Sequence, residues 1–206
     1  MSDFFYLQDS RSNVGTGAMW WAKDGAGYTT SLDRAELFTR ERALKQFESR
    51  ETDLPWPAAY IDERAHRGVD CQTVHKNEGA EGEAFYAFIE GDWNGNDLIW
   101  LTRSLSRSSD LGKARTFTRE EISDLLADEF HVTPMEASYI EGKARRLISV
   151  SSMNHREALR GVNLKLPKIK RQRLRRYLSN CAGCGRFLSQ VQVYQDCPNC
   201  GADNRP

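Results

Sequence analysis

The stretch SLDRAELFTRE at positions 31–41 is followed 79 residues later by DLGKARTFTRE at positions 110–120. Six of the eleven aligned positions are identical, where average composition gives roughly one or fewer. Without a gap, the alignment extends back to Trp21, which falls on Trp100. A period of this length exceeds the roughly 20–50 residues of solenoid repeats. The pattern therefore predicts one internal duplication, and the alternative is a chance match around a single helix start.

Each copy is predicted to contain a strand, a second strand and a helix. Phe4–Leu7 is short, apolar and aromatic, as many strands are, and Met19–Ala22 is a second strand candidate. Thr39 predicts a helix N-cap in the first copy, and Thr118 with Glu121 has the capping-box pattern in the second. We expect the two copies to pack against each other with approximate two-fold symmetry.

The chain that follows the second copy is predicted to be a helical connector. Thr133–Glu136 again has the capping-box pattern, with a proline at the first helical position. One apolar face of this helix would hold four residues: Ile140, Ala144, Leu147 and Ile148.

These elements predict an α+β fold with two β-hairpin-plus-helix units related by duplication, a helical basic connector and a C-terminal four-Cys zinc ribbon. The predicted boundaries are 1–78 for the first unit, 79–132 for the second, diverged copy, 133–178 for the connector with its basic helix, and 179–206 for the ribbon.

The composition is that of a folded protein whose charge is unevenly distributed. Of the 206 residues, 39% are hydrophobic and 28% are charged, with 29 basic against 29 acidic residues. From Lys165 onward nine Lys and Arg stand against two Asp, whereas positions 1–164 hold 20 basic and 27 acidic residues. No apolar run approaches the ~20 residues of a membrane span, and Met1–Phe4 lacks the features of a secretory signal. We expect a soluble, cytoplasmic protein that does not associate with membranes.

Four of the five cysteines form two Cys-x-x-Cys motifs separated by twelve residues: Cys181, Cys184, Cys197 and Cys200. Two residues between cysteines let both thiolates reach one ion from a tight turn, and Gly185 and Gly201 follow where such turns need a permissive backbone. Four thiolates favour one tetrahedral, structural Zn²⁺ with no open position for substrate. A redox dithiol or an iron–sulfur cluster is the alternative. Phe187–Tyr194 is predicted to form the strands of the ribbon.

A basic segment precedes these cysteines, with seven cations among residues 165–176. Cations at this density can lie along a phosphate backbone. The alternative is a solvated face, or a surface that docks on the acidic part of the same molecule. The candidate nucleic-acid-binding residues are Lys168, Lys170, Arg171, Arg173, Arg175 and Arg176.

The sequence gives weaker signals for base-stacking aromatic residues and for catalytic residues than for the cysteine motifs. Because Trp21 and Trp100 align, we expect them in the core, whereas Trp20 and Trp93 are candidates for stacking on bases. The four histidines are scattered, and no metalloprotease, catalytic-triad or P-loop signature occurs. Cys71 is expected to be a buried or incidental thiol. We therefore predict no catalytic residues and no enzyme activity.

The stretch MWWAKDGAGYTT at positions 19–30 resembles a Trp-Trp-x(3)-Gly-x-Gly-Tyr-Thr module of small phage and prophage proteins. The resemblance covers about residues 4–74, and the second copy lacks the glycine turn. It is supported further by the residues that follow: Leu32, Ala35, Phe38-Thr39, Trp56-Pro57, Tyr60-Ile61-Asp62 and Val69-Asp70. Such proteins are mostly of unassigned function, so no catalytic residue can be carried over. The resemblance implies a mobile-element protein that acts in the cytoplasm of a bacterial host, where accessory proteins often counter host defences.

Two functions follow as hypotheses. In the first, a non-catalytic zinc-ribbon protein docks on nucleic acid or on a host nucleoprotein through its basic C-terminal part. In the second, the acidic body inhibits a host defence complex, such as a CRISPR effector or a restriction enzyme, through protein contacts.

Overall fold

The computed structural model describes residues 4–75, 82–127, 131–168 and 179–205, and the chain divides into two units. The N-terminal unit comprises residues 1–167 and the C-terminal unit residues 168–206. Five helices and many short strands among the described residues make this a mixed α and β fold. The residues predicted to form a basic helix, from 169 to 178, lie outside the described residues.

Within the N-terminal unit, residues 4–75 (the first half) and 82–153 (the second half) contain the same order of elements. The first half contains β1 (Phe4–Val14), β2 (Gly17–Trp21), β3 (Tyr28–Thr29), β4 (Phe38–Thr39), α1 (Arg40–Ser49), β5 (Asp53–Pro57), α2 (Ala58–Arg64) and β6 (His66–Gly68). The second half contains β7 (Phe85–Asn94), β8 (Asp97–Leu101), β9 (Arg107–Ser108), β10 (Thr116–Phe117), α3 (Arg119–Ala127), β11 (Val132–Glu136), α4 (Ala137–Lys143) and β12 (Arg145–Leu147). Helix α5 (His155–Gly161) follows.

The long first strand is the centre of each antiparallel sheet. β1 pairs with β2, β4 and β5, and β7 pairs with β8, β10 and β11 in the same way. Both central strands carry a register shift, between Gln8 and Asn13 in β1 and between Phe88 and Trp93 in β7. The predicted strand at Phe4–Leu7 is therefore real but extends to Val14. Bulges of this kind bend a strand and increase its twist.

The predicted helix starts at Thr39 and Thr118 are confirmed. The Thr39 hydroxyl accepts a hydrogen bond from the backbone N–H of Arg42, which caps α1. Thr118 and Glu121 form a reciprocal capping box, in which each side chain accepts from the other residue's backbone N–H at 3.3 and 2.9 Å. These bonds satisfy N–H groups that have no partner within the helix.

The predicted alignment of the tryptophans is wrong by one residue. Trp20, not Trp21, is the counterpart of Trp100, because Trp20 pairs with Gln8 as Trp100 pairs with Phe88. Six residues lie between the paired Trp21 and Tyr28, but five between Leu101 and Arg107. An alignment without a gap cannot show this difference. Trp20 and Trp100 are both fully buried in their cores, so Trp20 is not available for base stacking.

The predicted helix start at Thr133 is also wrong, and the second half therefore continues past residue 132. Val132–Glu136 is strand β11, which pairs along β7 with Pro134 opposite Ala87. Proline lacks an N–H group, and an edge strand tolerates this loss. The Glu136 carboxylate instead caps the next helix, α4, by accepting from the Tyr139 backbone N–H at 2.6 Å.

The two halves are joined because each half extends a short segment of chain into the other. β6 pairs with β12 so that Arg67 lies opposite its counterpart Arg146. The residues that follow enter the opposite half: the Val69 carbonyl accepts from the Leu98 N–H, and the Ile148 carbonyl accepts from the Ala18 N–H. Val69 is buried in the second half's core and Ile148 in the first half's core, each with no solvent exposure. The contacts are thus reciprocal about an approximate two-fold axis at the Arg67–Arg146 pair.

Polar contacts across this junction repeat with the same symmetry. The Tyr6 hydroxyl donates to Asp62 at 3.1 Å, and Asp62 also accepts from Arg146 at 2.9 Å. In the opposite position the Tyr86 hydroxyl donates to Glu141 at 2.6 Å, and Glu141 also pairs with Arg67. Burial and the hydrogen bond to Glu141 raise the pKa of Tyr86 to about 12. Each tyrosine therefore remains a protonated donor at neutral pH.

The turns of the two β-hairpins meet at the junction and require glycine. Gly15 and Gly95 have positive φ angles of 57° and 65°. A Cβ atom on Gly95 would lie 2.6 Å from the backbone nitrogen of Gly15, and one on Gly15 would lie 2.4 Å from that of Gly95. Asn94 links the turns, because its side chain accepts from the Thr16 backbone N–H at 2.8 Å. No side chain fits between these backbones.

We expect Gly95→Ala to destabilise the N-terminal unit more than Gly91→Ala. Both glycines have positive φ angles, so both changes carry a left-handed penalty of roughly 1–2 kcal/mol. Nothing lies within 4 Å of a Cβ atom on Gly91, whereas the clash at Gly95 should add about 1–3 kcal/mol. Urea unfolding measures both free energies. Equal costs would show that the hairpin turns do not meet.

A cluster of three charged side chains lies beside the turns, and one of them, Asp97, is buried. Arg145 donates to Asp70 at 2.5 Å and to Asp97 at 2.7 Å, and the Asp97 side chain is 2% exposed. Burial raises the pKa of Asp97, and the opposing effect of Arg145 is smaller. Removing one partner of a buried pair leaves an uncompensated charge, which typically costs about 3–5 kcal/mol.

Arg145→Met should therefore destabilise the protein by about 3–5 kcal/mol at neutral pH. An aspartate whose pKa is raised on folding binds more protons when folded, so its effect on stability becomes less favourable as pH rises above the unfolded value of 3.8. The cost of Arg145→Met should therefore grow as pH rises above 3.8. In the Arg145→Met protein, the second change Asp97→Asn should remove this increase of the unfolding cost with pH. A cost that does not change with pH, as measured by urea unfolding, would contradict this assignment.

Candidate metal centre

The four cysteines of the C-terminal unit lie on two turns of matching geometry. Cys181 donates its N–H to the Arg186 carbonyl, and its own carbonyl accepts from Gly185. Cys197 makes the same pair of bonds with Ala202 and Gly201. The two glycines have φ angles of 70° and 74°, a region that side chains disfavour. The sequence therefore identified the turns correctly.

The four sulfur atoms converge, and all lie within 4.8 Å of one another. Cys181 Sγ lies 3.6 Å from Cys200 Sγ, and Cys184 Sγ lies 3.8 Å from Cys197 Sγ. Four sulfurs bound at about 2.3 Å to a tetrahedral zinc ion would lie about 3.8 Å apart. The four cysteines are therefore close enough to hold one metal ion, and the donor set suits zinc.

Nearby N–H groups stabilise the thiolate form that binds a metal. The backbone N–H of Cys184 is the largest of the effects that lower the pKa of Cys181 to about 6. The backbone of Arg186 and the side chain of Asn199 lower that of Cys184. At Cys200, the hydrogen bond from Ala202 lowers the pKa, but contact with the Cys184 sulfur and burial outweigh it and raise the pKa to about 12. A cation at the centre would favour all four thiolates.

Among the residues of this unit that the structure describes, little besides the cysteines forms a hydrophobic core. Its hydrophobic cluster consists of Leu188 and two of the cysteines, Cys181 and Cys197, with Val193 and Ala202 partly buried against them. Strand β13 (Ser179–Asn180) pairs with β14 (Phe187–Leu188), and Gln192–Tyr194 is a 3-10 turn and not the predicted strand. Such a small core rarely folds without a staple such as a metal ion.

Close packing within the centre explains one further glycine. A Cβ atom on Gly183 would lie 2.7 Å from the Ala202 Cβ and 3.2 Å from the Cys200 sulfur. Gly183 thus permits the two turns to approach each other. Sequence reasoning missed this residue, because its neighbour across the centre is 19 positions away.

One of the six basic candidates lies among the described residues. Lys168 is exposed, and the remaining candidates, Lys170, Arg171, Arg173, Arg175 and Arg176, lie outside the described residues. Cys71 packs against the second half's core, and burial raises its pKa, which disfavours a reactive thiolate. Trp93 is 54% exposed and therefore accessible.

No protein-family model, curated protein or solved structure matches this chain. Among the described residues, no helix has both the length and the apolar character that crossing a membrane requires.

We expect the purified protein to carry one zinc ion per chain. Replacing Cys184 and Cys200 with serine should abolish zinc retention, because two of four thiolate ligands are lost. Cys71→Ser is the matched control and should retain the ion, since Cys71 belongs to the N-terminal unit. Metal analysis after gel filtration measures both. Zinc loss from the Cys71→Ser protein, or zinc retained by the double variant, would contradict the assignment.

Proposed function

We propose that the protein is a non-catalytic, zinc-binding adaptor that docks on nucleic acid or nucleoprotein through its C-terminal unit. The observation that carries this proposal is the four-cysteine cluster in a strongly basic unit. Residues 168–206 contain eight Lys and Arg against two Asp, whereas residues 1–167 contain 21 Lys and Arg against 27 Asp and Glu. The boundary between the two units is thus also a boundary of charge.

The zinc ion would have a structural role in this function. Cys181, Cys184, Cys197 and Cys200 would fill its four positions and leave none for substrate or water. The metal would fix the turns, and the basic residues would supply the contacts. The cations from Lys168 to Arg176 would contact phosphates, which position a nucleic acid without reading its sequence.

The repeated architecture and the C-terminal unit suggest an evolutionary origin. We propose that the two halves descend from one duplicated unit, which the shared element order, the shared register shift and the reciprocal junction support. We also assign the C-terminal unit to the zinc ribbons, on the basis of its two cysteine turns and the β13–β14 pair.

A second candidate function follows from the acidic charge of the N-terminal unit. An acidic surface can occupy a site that a nucleic-acid-binding protein presents to phosphates. The protein would then inhibit a host defence complex, and the resemblance of residues 4–74 to phage proteins suggests the same context. A pull-down from bacterial lysate should recover a nucleic-acid-binding protein that excess duplex DNA displaces. Recovery of no such protein would contradict this candidate.

The first candidate predicts a steep dependence of binding on salt. If the six cations from Lys168 to Arg176 contact phosphates, log K should fall against log salt with a slope of about −4 to −5. Replacing Arg171, Arg173, Arg175 and Arg176 with alanine should reduce the magnitude of that slope by about 3. Fluorescence anisotropy of the zinc-loaded protein with labelled duplex DNA and single-stranded RNA measures both slopes.

A matched control removes the same charge from the N-terminal unit. Lys45, Arg103, Arg156 and Arg160 are exposed, and their replacement with alanine should leave the slope unchanged. The adaptor proposal fails if the wild-type protein binds neither probe at low salt. It also fails if both variants bind as the wild-type protein does.

A further inference from the structure

A cavity of about 370 Å³ opens at the junction between the two halves of the N-terminal unit. Three segments of the first half and two of the second line this cavity. The cavity therefore exists only where the two halves meet. Its volume is at the lower end of the range for small-ligand sites. The polar residues of its lining include Tyr28, Thr30, Ser31, Arg34, Asn96 and Lys143, together with one acid, Asp70.

The cavity holds two cations without carboxylate partners. Among residues 4–75, 82–127, 131–168 and 179–205, no carboxylate forms an ion pair with Arg34 or Lys143, and Arg34 is exposed. The third cation, Arg145, is already occupied by Asp70 and Asp97. Hydroxyl groups of Thr30 and Ser31 and the Asn96 amide add neutral hydrogen-bonding groups. This combination matches the needs of a phosphate group.

The approximate two-fold axis supplies an internal comparison. The counterpart of Arg34 is Lys113, which forms an ion pair with Asp110 at 3.8 Å. Asp110 is in turn the counterpart of Ser31. The counterpart of Lys143 is Arg64, which pairs with Glu63, and Gly142 stands where that glutamate would be. Lys113 and Arg64 therefore have carboxylate partners, whereas Arg34 and Lys143 form no ion pair with any carboxylate in the described part of the chain.

The aromatic ring of Tyr28 lines the cavity. Tyr28 is 38% exposed, although its hydroxyl accepts from Arg50 at 3.0 Å and its ring contacts the Trp21 ring edge-on at a centroid distance of 5.8 Å. Two contacts thus hold an accessible ring in place. A second cavity of about 330 Å³ shares Tyr28, Thr29 and Arg34 with the first, so there is room for more than a phosphate group.

We propose that this cavity, the junction site, binds a small phosphate-bearing molecule of the mononucleotide class. Arg34 and Lys143 bind the phosphate group, and the Tyr28 ring contacts the planar base. This site is separate from the phosphate-backbone contacts assigned to the C-terminal unit, and it does not rest on them.

Calorimetric titration of the full-length, zinc-loaded protein with AMP, inorganic phosphate and adenosine tests the proposal. We expect AMP to bind most tightly, inorganic phosphate more weakly and adenosine more weakly than AMP by at least tenfold. Arg34→Ala should weaken AMP binding about tenfold or more. Lys113→Ala, the symmetry-matched control, should bind AMP as the wild-type protein does.

A second variant tests the charge comparison without removing a cation. Ser31→Asp copies the residue that stands at position 110, where the aspartate caps a 3-10 turn by accepting from the Gly112 N–H at 2.9 Å. This variant should fold and should lose AMP binding at least tenfold, because its carboxylate would neutralise Arg34. Absence of AMP and phosphate binding at millimolar concentration would overturn the proposal. So would adenosine binding as tightly as AMP, or unchanged AMP affinity in both Arg34→Ala and Ser31→Asp.

Discussion

The antiparallel pairing of β6 with β12 is the constraint on which the rest of the N-terminal unit depends. Beyond this pair, Val69 and Ile148 each complete the hydrophobic core of the opposite half. Full burial of an aliphatic side chain contributes roughly 1.5–3 kcal/mol, so neither core is complete without the other half. The exchange brings the hairpin turns together at Gly15 and Gly95. It also forms the junction site, which neither half contains alone.

Local patterns predicted the local features. Thr39, the Thr118–Glu121 box and the two cysteine turns each depend on residues within a few positions of one another, and each was predicted correctly from sequence. Thr133–Glu136 has the same capping pattern but forms an edge strand, because pairing with β7 and burial of Val132 and Met135 outweigh it. Tertiary contacts commonly override local propensity in this way.

The remaining features depend on contacts between distant residues. The halves were recognised by their 79-residue offset, but a one-residue difference in the loop after β2 concealed that Trp20 is the counterpart of Trp100. Arg34 and Lys143 line the same cavity, although they are 109 positions apart in the sequence. No periodicity or motif links these two residues. Only the structure could show that both residues line the same cavity.

The charge distribution assigns different anions to the two proposed sites. At 0.1 M salt, charges farther apart than about 10 Å are largely screened. A small anion in the junction site therefore experiences Arg34 and Lys143 more strongly than the distant acids of the N-terminal unit. A long polyanion, in contrast, must lie along an extended surface, and the acidic excess of residues 1–167 disfavours that. The basic C-terminal unit has the opposite balance. Arg34→Ala should accordingly affect mononucleotide binding alone, and loss of the C-terminal arginines should affect nucleic acid alone.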